Sequence, residues 1–297
     1  MKIAMRKPRL LIFAGLGVLL ISISGWLAYS AFKPDTPFSS NRAYQDVLAQ
    51  LSFGARTPGS KAHAQTITYI QNELVKAGWI VNIQSTEWLG FSVENIIAFR
   101  SNASPQIIVG AHYDSRMLAD QETGLARNNP VPGADDGASG VAVMLELARI
   151  LPSNSVPVWL VFFDAEDNGG IDNRQWIMGS KAFVNLLKVK PQKVVILDMI
   201  GQADLKLYIE KNSNSAITAE IWAQAAKLGY GNIFISTPKY SMLDDHTSFL
   251  ESGIPAVDII DFDYPFWHTT ADTADKISLK SLQAVGDTIW SWIGSNK

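Results

Sequence analysis

Beyond residue 40, apolar positions recur in two alternating rhythms. In Tyr44 to Leu51 and Lys61 to Ala77 they return every three to four residues, which places them on one helix face, and the second run is capped by Ser60 and stopped at Gly78. Short β-rich runs then alternate with longer helical ones. Strands are predicted at Ile80 to Glu87, Asn95 to Phe99, Gln106 to Gly110, Val156 to Phe163, Val194 to Leu197, Leu205 to Ile209, Ile233 to Ser236 and Ala256 to Ile260. Helices are predicted at Gly140 to Leu151, Lys181 to Leu187, Ala216 to Leu228 and Leu279 to Ile293. This alternation predicts a three-layer α/β/α domain around a central mixed, mostly parallel sheet. The segments IIVG, VWLVFF and VVIL are apolar at successive positions, as interior strands covered on both faces should be. No repeat, charge block or Gly/Ser tract divides residues 41–297, so one domain is expected there.

The N-terminal pattern is different. Leu10 to Phe32 contains no charge, and at about 1.5 Å per residue it is long enough to cross a ~30 Å hydrocarbon core. Lys2, Arg6, Lys7 and Arg9 flank only its N-terminal side. The positive-inside rule then makes residues 1–9 a cytoplasmic basic tail, 10–32 a single-pass transmembrane signal anchor and 33–40 a Pro-broken linker, with the remainder exported. Ala28-Tyr29-Ser30 has the small-x-small form of a signal-peptide cleavage site, which would instead release a secreted protein. The apolar run exceeds the ~7 to 15 residues of a signal-peptide core, which favours the anchor.

Composition narrows the chemistry. The chain has 297 residues, 47% hydrophobic and 18% charged, as an ordered globular protein does. Beyond Phe32 there are 21 basic and 28 acidic residues, a net charge of −7, which argues against nucleic acid as a partner. Absence of cysteine excludes thiol catalysis, disulfides and Cys-ligated zinc, so a metal would need His, Asp or Glu ligands.

Such residues stand at the predicted strand ends, where ligands bind in open α/β sheets. IIVG runs into Ala111-His112-Tyr113-Asp114, VWLVFF into Asp164-Ala165-Glu166-Asp167, VVIL into Asp198, and AVDIID leads on to His268. Asp135 and Asp136 precede the helix after PGADDGASG. Each has an ordinary reading by itself: a loop histidine, a helix cap, a solvated turn. Together they converge several carboxylates and two imidazoles on one edge, and a divalent cation relieves the resulting repulsion. Mixed N/O ligation suits zinc.

In order, the segments HYDS, PGADDGASGVAVMLELARIL, FFDAED, ILDMIG, DDHTSFLESGIPAV and FWHTTADTADKI resemble the blocks of the M28 zinc aminopeptidase and glutaminyl cyclase superfamily. The resemblance spans roughly Leu51 to the C-terminus. It implies zinc ligands at Asp136, Asp167 and His268, and an acid/base glutamate at Glu166. In two-metal aminopeptidases of this group a second zinc would be held by His112 and Asp198, with Asp136 bridging and Asp114 orienting His112. Aminopeptidases usually show Glu-Glu where this chain has Glu166-Asp167.

Bacterial glutaminyl cyclases are matched more closely. FGARTPGSKAH, HYDSR with its long following loop, the Glu-Asp pair and the insert Asn168 to Met178 before GSKAF all resemble them. The resemblance also implies an aromatic wall at Trp267, with Trp176 a second candidate, and an acidic network of Asp198 and Asp245 beside Glu166. The expected activity is conversion of N-terminal Gln on peptides or proteins to pyroglutamate, with one zinc. The alternative is hydrolysis of N-terminal residues with two zincs. A receptor-like, non-catalytic member of the superfamily should lack a ligand or the glutamate, and none is missing here.

Overall fold

A computed structural model describes residues 36–296, within the compact unit Thr36–Lys297. The expected basic tail and anchor at 1–9 and 10–32 lie outside the described residues. Among the described residues no helix is long and apolar enough to cross a membrane.

Helix α1 (Ser40–Ser52) is capped by Ser39, and α2 (Lys61–Lys76) by Ser60, whose hydroxyl accepts the His63 N–H. The hairpin β1 (Ile80–Trp88) and β2 (Phe91–Phe99) pairs antiparallel around Leu89-Gly90. Both turn residues have positive φ, 53° and 83°, as the tight turn matching strand twist requires. The later elements are β3 (Ile107–His112), α3 (Ala138–Ile150), β4 (Val158–Phe163), α4 (Met178–Leu186) and β5 (Lys193–Asp198). They are followed by β6 (Leu207–Ile209), α5 (Ser215–Lys227), β7 (Phe234–Pro238), α6 (Asp245–Glu251), β8 (Ala256–Ile260) and α7 (Leu279–Ser295).

The main sheet has the order β1-β2-β4-β3-β5-β8, while β6 and β7 form a separate parallel pair. Strand β2 runs antiparallel to β4, whereas β4-β3, β3-β5 and β5-β8 are parallel. The sheet is therefore mixed and mostly parallel.

Alternation along the interior strands shows why these runs are apolar throughout. Val109, Leu160, Phe162, Val195 and Leu197 pack with Ala43, Ile70, Val141, Ile217 and Leu282 from α1, α2, α3, α5 and α7. Their neighbours Ile108, Val161, Phe163, Val194 and Ile196 pack on the other face with Phe183 of α4 and Phe249 of α6. Two buried faces in one strand leave no polar position, which is the three-layer arrangement.

Three local readings change. Strand β2 begins at Phe91 rather than Asn95, because its pairing with β1 continues to the turn. Helix α6 has seven residues, too few for a periodic signal, and is held by burial of Phe249, worth about 1.5 to 3 kcal/mol. The last part of the expected linker belongs to the domain: Phe38 is buried against Gly286 of α7, where a Cβ would fall 2.2 Å from its ring.

Candidate active site

Parallel pairing brings the C-terminal ends of β3, β4, β5 and β8 to one edge. His112 ends β3 and Asp198 ends β5. The turn after β4 carries Asp164, Glu166 and Asp167, the segment after β8 carries His268, and the loop before α3 supplies Asp136. Two groups result, His112–Asp136–Asp198 and Asp136–Asp167–His268, each with its ligand atoms within 4.8 Å of one another. His112 Nε2 lies 3.1 Å from Asp136 Oδ1 and 3.2 Å from Asp198 Oδ1. His268 Nε2 lies 2.8 Å from Asp167 Oδ1 and 3.8 Å from Asp136 Oδ2.

Asp136 Oδ2 and Asp167 Oδ2 are buried without a hydrogen-bond partner. A buried carboxylate oxygen left unpaired is costly, so this donor set fits a divalent cation bound through N and O atoms. Asp136 belongs to both groups. Its neighbour Asp135 points elsewhere, accepting the backbone N–H groups of Gly201 at 2.6 Å and Gln202 at 3.0 Å. Asp136 does not cap α3, whose N-cap residue is Gly137 and whose first turn receives no side-chain cap hydrogen bond. A Cβ at Gly137 would lie 2.5 Å from His112 Nε2, so glycine there is what permits the loop to approach the imidazole.

The backbone around these groups is held by buried charges. Asp114 approaches His112 Nδ1 at 3.4 Å and accepts the N–H groups of Glu166 at 3.1 Å and Asp167 at 3.3 Å. It thus fixes a ring and the turn bearing the glutamate. Asp272 accepts the N–H groups of Asp135 and Asp136 and the Tyr264 hydroxyl. Asp120 lies 3.1 Å from His268 Nδ1 and pairs with Arg116, whose guanidinium sits 4.6 Å from the Trp176 ring centre. Arg56 is fully buried and donates to the carbonyls of Tyr113, Pro132 and Gly133 at 2.9, 2.7 and 2.7 Å. Sequence reading missed Arg56, Asp120 and Asp272. Arg56 lies in FGARTPGSKAH, a segment that carried the resemblance without giving the arginine a role, and nothing local separates Asp120 or Asp272 from ordinary loop acids.

Ala165, Met199 and His268 have φ of 50°, 44° and 55°, conformations that non-glycine residues seldom adopt. Ala165 and Met199 lie just beyond the ends of β4 and β5, and His268 lies in the segment after β8; strained backbone of this kind concentrates in functional centres.

Burial pushes the Glu166 carboxyl well above the usual range, and Asp244, Asp167 and Asp245 add to the shift. Burial, reinforced by Asp136, pushes Asp167 up to about 6. Burial also moves Asp198 to about 7, with His112 opposing and Asp244 adding. Glu166 borders a cleft of about 180 Å³ lined also by Asp136, Asp167, Asp198, Trp176, Trp267 and His268. The Trp267 ring stacks on His268 at 3.7 Å, and Trp176 lies parallel to His268 at 6.0 Å. Both tryptophans therefore reach the cleft. Asp245, the acid that the resemblance implied beside Glu166, does not line the cleft; its neighbour Asp244 does. Asp245 is fully buried behind this wall because α6 starts there and turns its side chain inward.

Two imidazoles and three carboxylates at the carboxyl edge of an α/β sheet, beside a buried glutamate, form a metalloenzyme-type centre. Residues 95–293 match Peptidase family M28, and the chain belongs to that family. It is similar to the crystal structure of Tannerella forsythia glutaminyl cyclase, at 31% identity and a TM-score of 0.83, covering 88% of this chain and 100% of that one. A Zn-dependent exopeptidase from Parabacteroides distasonis is similar at 30% identity and a TM-score of 0.82, covering 89% and 100%. Aminopeptidase YwaD of Bacillus subtilis is 30% identical over 219 residues, 66% of this chain but 43% of that protein. The protein is an enzyme, either cyclase or peptidase.

Proposed function

We propose that the enzyme is a zinc-dependent glutaminyl-peptide cyclotransferase. The observation that carries this reading is the cleft beside Glu166, about 180 Å³ in volume and lined by Trp176 and Trp267. At ~30 Å³ per water that is the space of about six waters, the scale of one side chain. Similarity to the Tannerella forsythia cyclase supports it. Asp136, Asp167 and His268 would hold zinc, which when bound supplies Lewis-acid polarisation of a carbonyl. Trp176 and Trp267 hold the N-terminal glutamine side chain. Glu166 takes a proton from the substrate's α-amine as that nitrogen bonds to the γ-carboxamide carbon, and delivers it to the departing nitrogen, which leaves as ammonia. Burial, with Asp244, Asp167 and Asp245, raises the proton affinity of Glu166, which suits a carboxylate that must take the amine's proton and hold it until the leaving nitrogen accepts it, and Asp198 lines the same cleft.

A second reading has its own observation. The sharing of Asp136 between two ligand groups provides for two ions, as an M28 aminopeptidase would use, with Glu166 as general base toward water. We further propose that residues 10–32 anchor the enzyme with its catalytic domain on the extracytoplasmic side, or are cleaved to release it.

The full chain, loaded with zinc, is incubated with a peptide bearing N-terminal Gln and another bearing N-terminal Leu. Mass spectrometry should show loss of ammonia from the first and no change in the second. Release of free Leu with the Gln peptide unchanged would replace the cyclase by the aminopeptidase.

A further inference from the structure

The arginine of the segment HYDSR has no part in the chemistry proposed above, yet it is buried beside both the metal-ligand candidates and the cleft wall. Arg116 is only 4% exposed. A guanidinium presents its donors in a fixed fork and, being flat and weakly hydrated, also sits well over an aromatic ring. Arg116 uses both properties. Its Nη1 donates to the Asp167 carbonyl at 2.8 Å, and its Nη2 donates to the Asp120 carboxylate and, at 3.4 Å, to the Gly169 carbonyl. Its central carbon lies over the Trp176 ring, 4.6 Å from the ring centre.

These partners lead to different parts of the site. The second oxygen of Asp120 lies 3.1 Å from His268 Nδ1, where it accepts that N–H when Nε2 ligates a metal. A histidine oriented in this way by a carboxylate is a stronger zinc ligand, and loss of such a partner weakens metal binding. The guanidinium offsets the charge of Asp120 and, at 3.9 Å, that of the Asp167 carboxylate. Trp176 lines the cleft, with its ring 10° from parallel to that of His268. A Cβ at Gly169 would fall 2.3 Å from the indole, so Trp176 is packed against Gly169 as well as Arg116.

We propose that Arg116 is a positioning residue that holds His268, through Asp120, and the Trp176 wall in one fixed arrangement, so that zinc affinity and binding of the substrate's N-terminal side chain both depend on it. The inference rests on the cleft taking zinc and an N-terminal side chain, which the cyclase and aminopeptidase readings share. Its two arms make separable demands. Asp120 needs a cationic donor opposite it, whereas Trp176 needs a flat cation, and lysine supplies the first without the second.

The test uses the full chain and two readouts: zinc affinity, by competition with a chromophoric chelator at fixed pH, and KM and kcat for the peptide bearing N-terminal Gln at saturating zinc. Arg116→Met and Asp120→Asn should each weaken zinc binding by about 10 to 100-fold, and Arg116→Lys should stay within about threefold of wild type. Arg116→Lys should instead raise KM by about 2 to 30-fold, the strength of a cation–π contact, with a smaller effect on kcat. In a Trp176→Ala background the same lysine substitution should change KM by less than about twofold, because the contact is already gone. A merely structural arginine would raise KM by the same factor in both backgrounds, and that result overturns the proposal. Wild-type zinc affinity in a folded Arg116→Met variant overturns it too, and should that variant not fold, wild-type affinity in Asp120→Asn does so. If the Gln peptide is unchanged and free Leu is released from the other peptide, the cyclase reading fails, and KM for the Leu peptide answers the same question. Zinc competition needs no turnover and decides under either reading.

Discussion

Replacing Arg56 by methionine tests whether the candidate site is held by a buried cation. The guanidinium donates to three carbonyls, those of Tyr113, Pro132 and Gly133, on the two chain segments that position His112 and Asp136. It is also attracted by Asp272, Asp114, Asp136 and Asp167, although burial still lowers its pKa. A buried carbonyl left without its donor costs about 1 to 3 kcal/mol, so three cost roughly 3 to 9 kcal/mol. Methionine no longer needs a charge desolvated, which offsets part of this and leaves about 4 kcal/mol. For a domain of this size that corresponds to a fall in melting temperature of about 8 to 16 °C. The assay is thermal unfolding followed by circular dichroism, with zinc content measured on the folded fraction. Arg56→Lys, which keeps the charge but not the planar fork, should fall between the two. A methionine variant melting within about 3 °C of wild type, with its zinc retained, would show that the loop is held by something else.

Two further outcomes are expected. Glu166→Gln should bind zinc as wild type does and lose turnover by about 10² to 10⁴-fold, since it removes a proton carrier while keeping shape; retained turnover removes Glu166 from the chemistry. The metal-free protein should lose stability as pH rises. Burial, with charged neighbours, raises Asp167 to about 6 and Asp198 and Asp272 to about 7, so the folded state binds more protons than the unfolded one between their ordinary 3.8 and those values. The raised pKa values of His112 and His268 act in the same direction. Melting of chelator-treated protein should drop by at least about 5 °C from pH 5 to pH 8, and zinc should reverse the trend because binding displaces protons. A flat or rising apo profile contradicts the buried-carboxyl account.

Much of this enzyme was determined by the sequence itself. The change from helical spacing to apolar strands specifies an α/β domain, since a strand without polar positions must be covered on both faces, and the cores on either side of β3, β4 and β5 are that covering. Strand ends are legible for the same reason. His112, Asp198 and the Asp164 to Asp167 turn stand where apolar runs stop, and parallel pairing puts such ends together.

Other features depended on contacts between distant segments. Asp136 rather than Asp135 faces both imidazoles because Asp272 and the Gly201-Gln202 backbone orient the loop from elsewhere in the chain. Arg56 lies 76 to 80 residues from the loop it secures, and Asp120 is 148 residues from His268. Local pattern records which face of an element is apolar, whereas the partner of a buried charge is chosen by tertiary packing, because the energy of an unpaired charge depends on what the fold brings within a few ångströms of it.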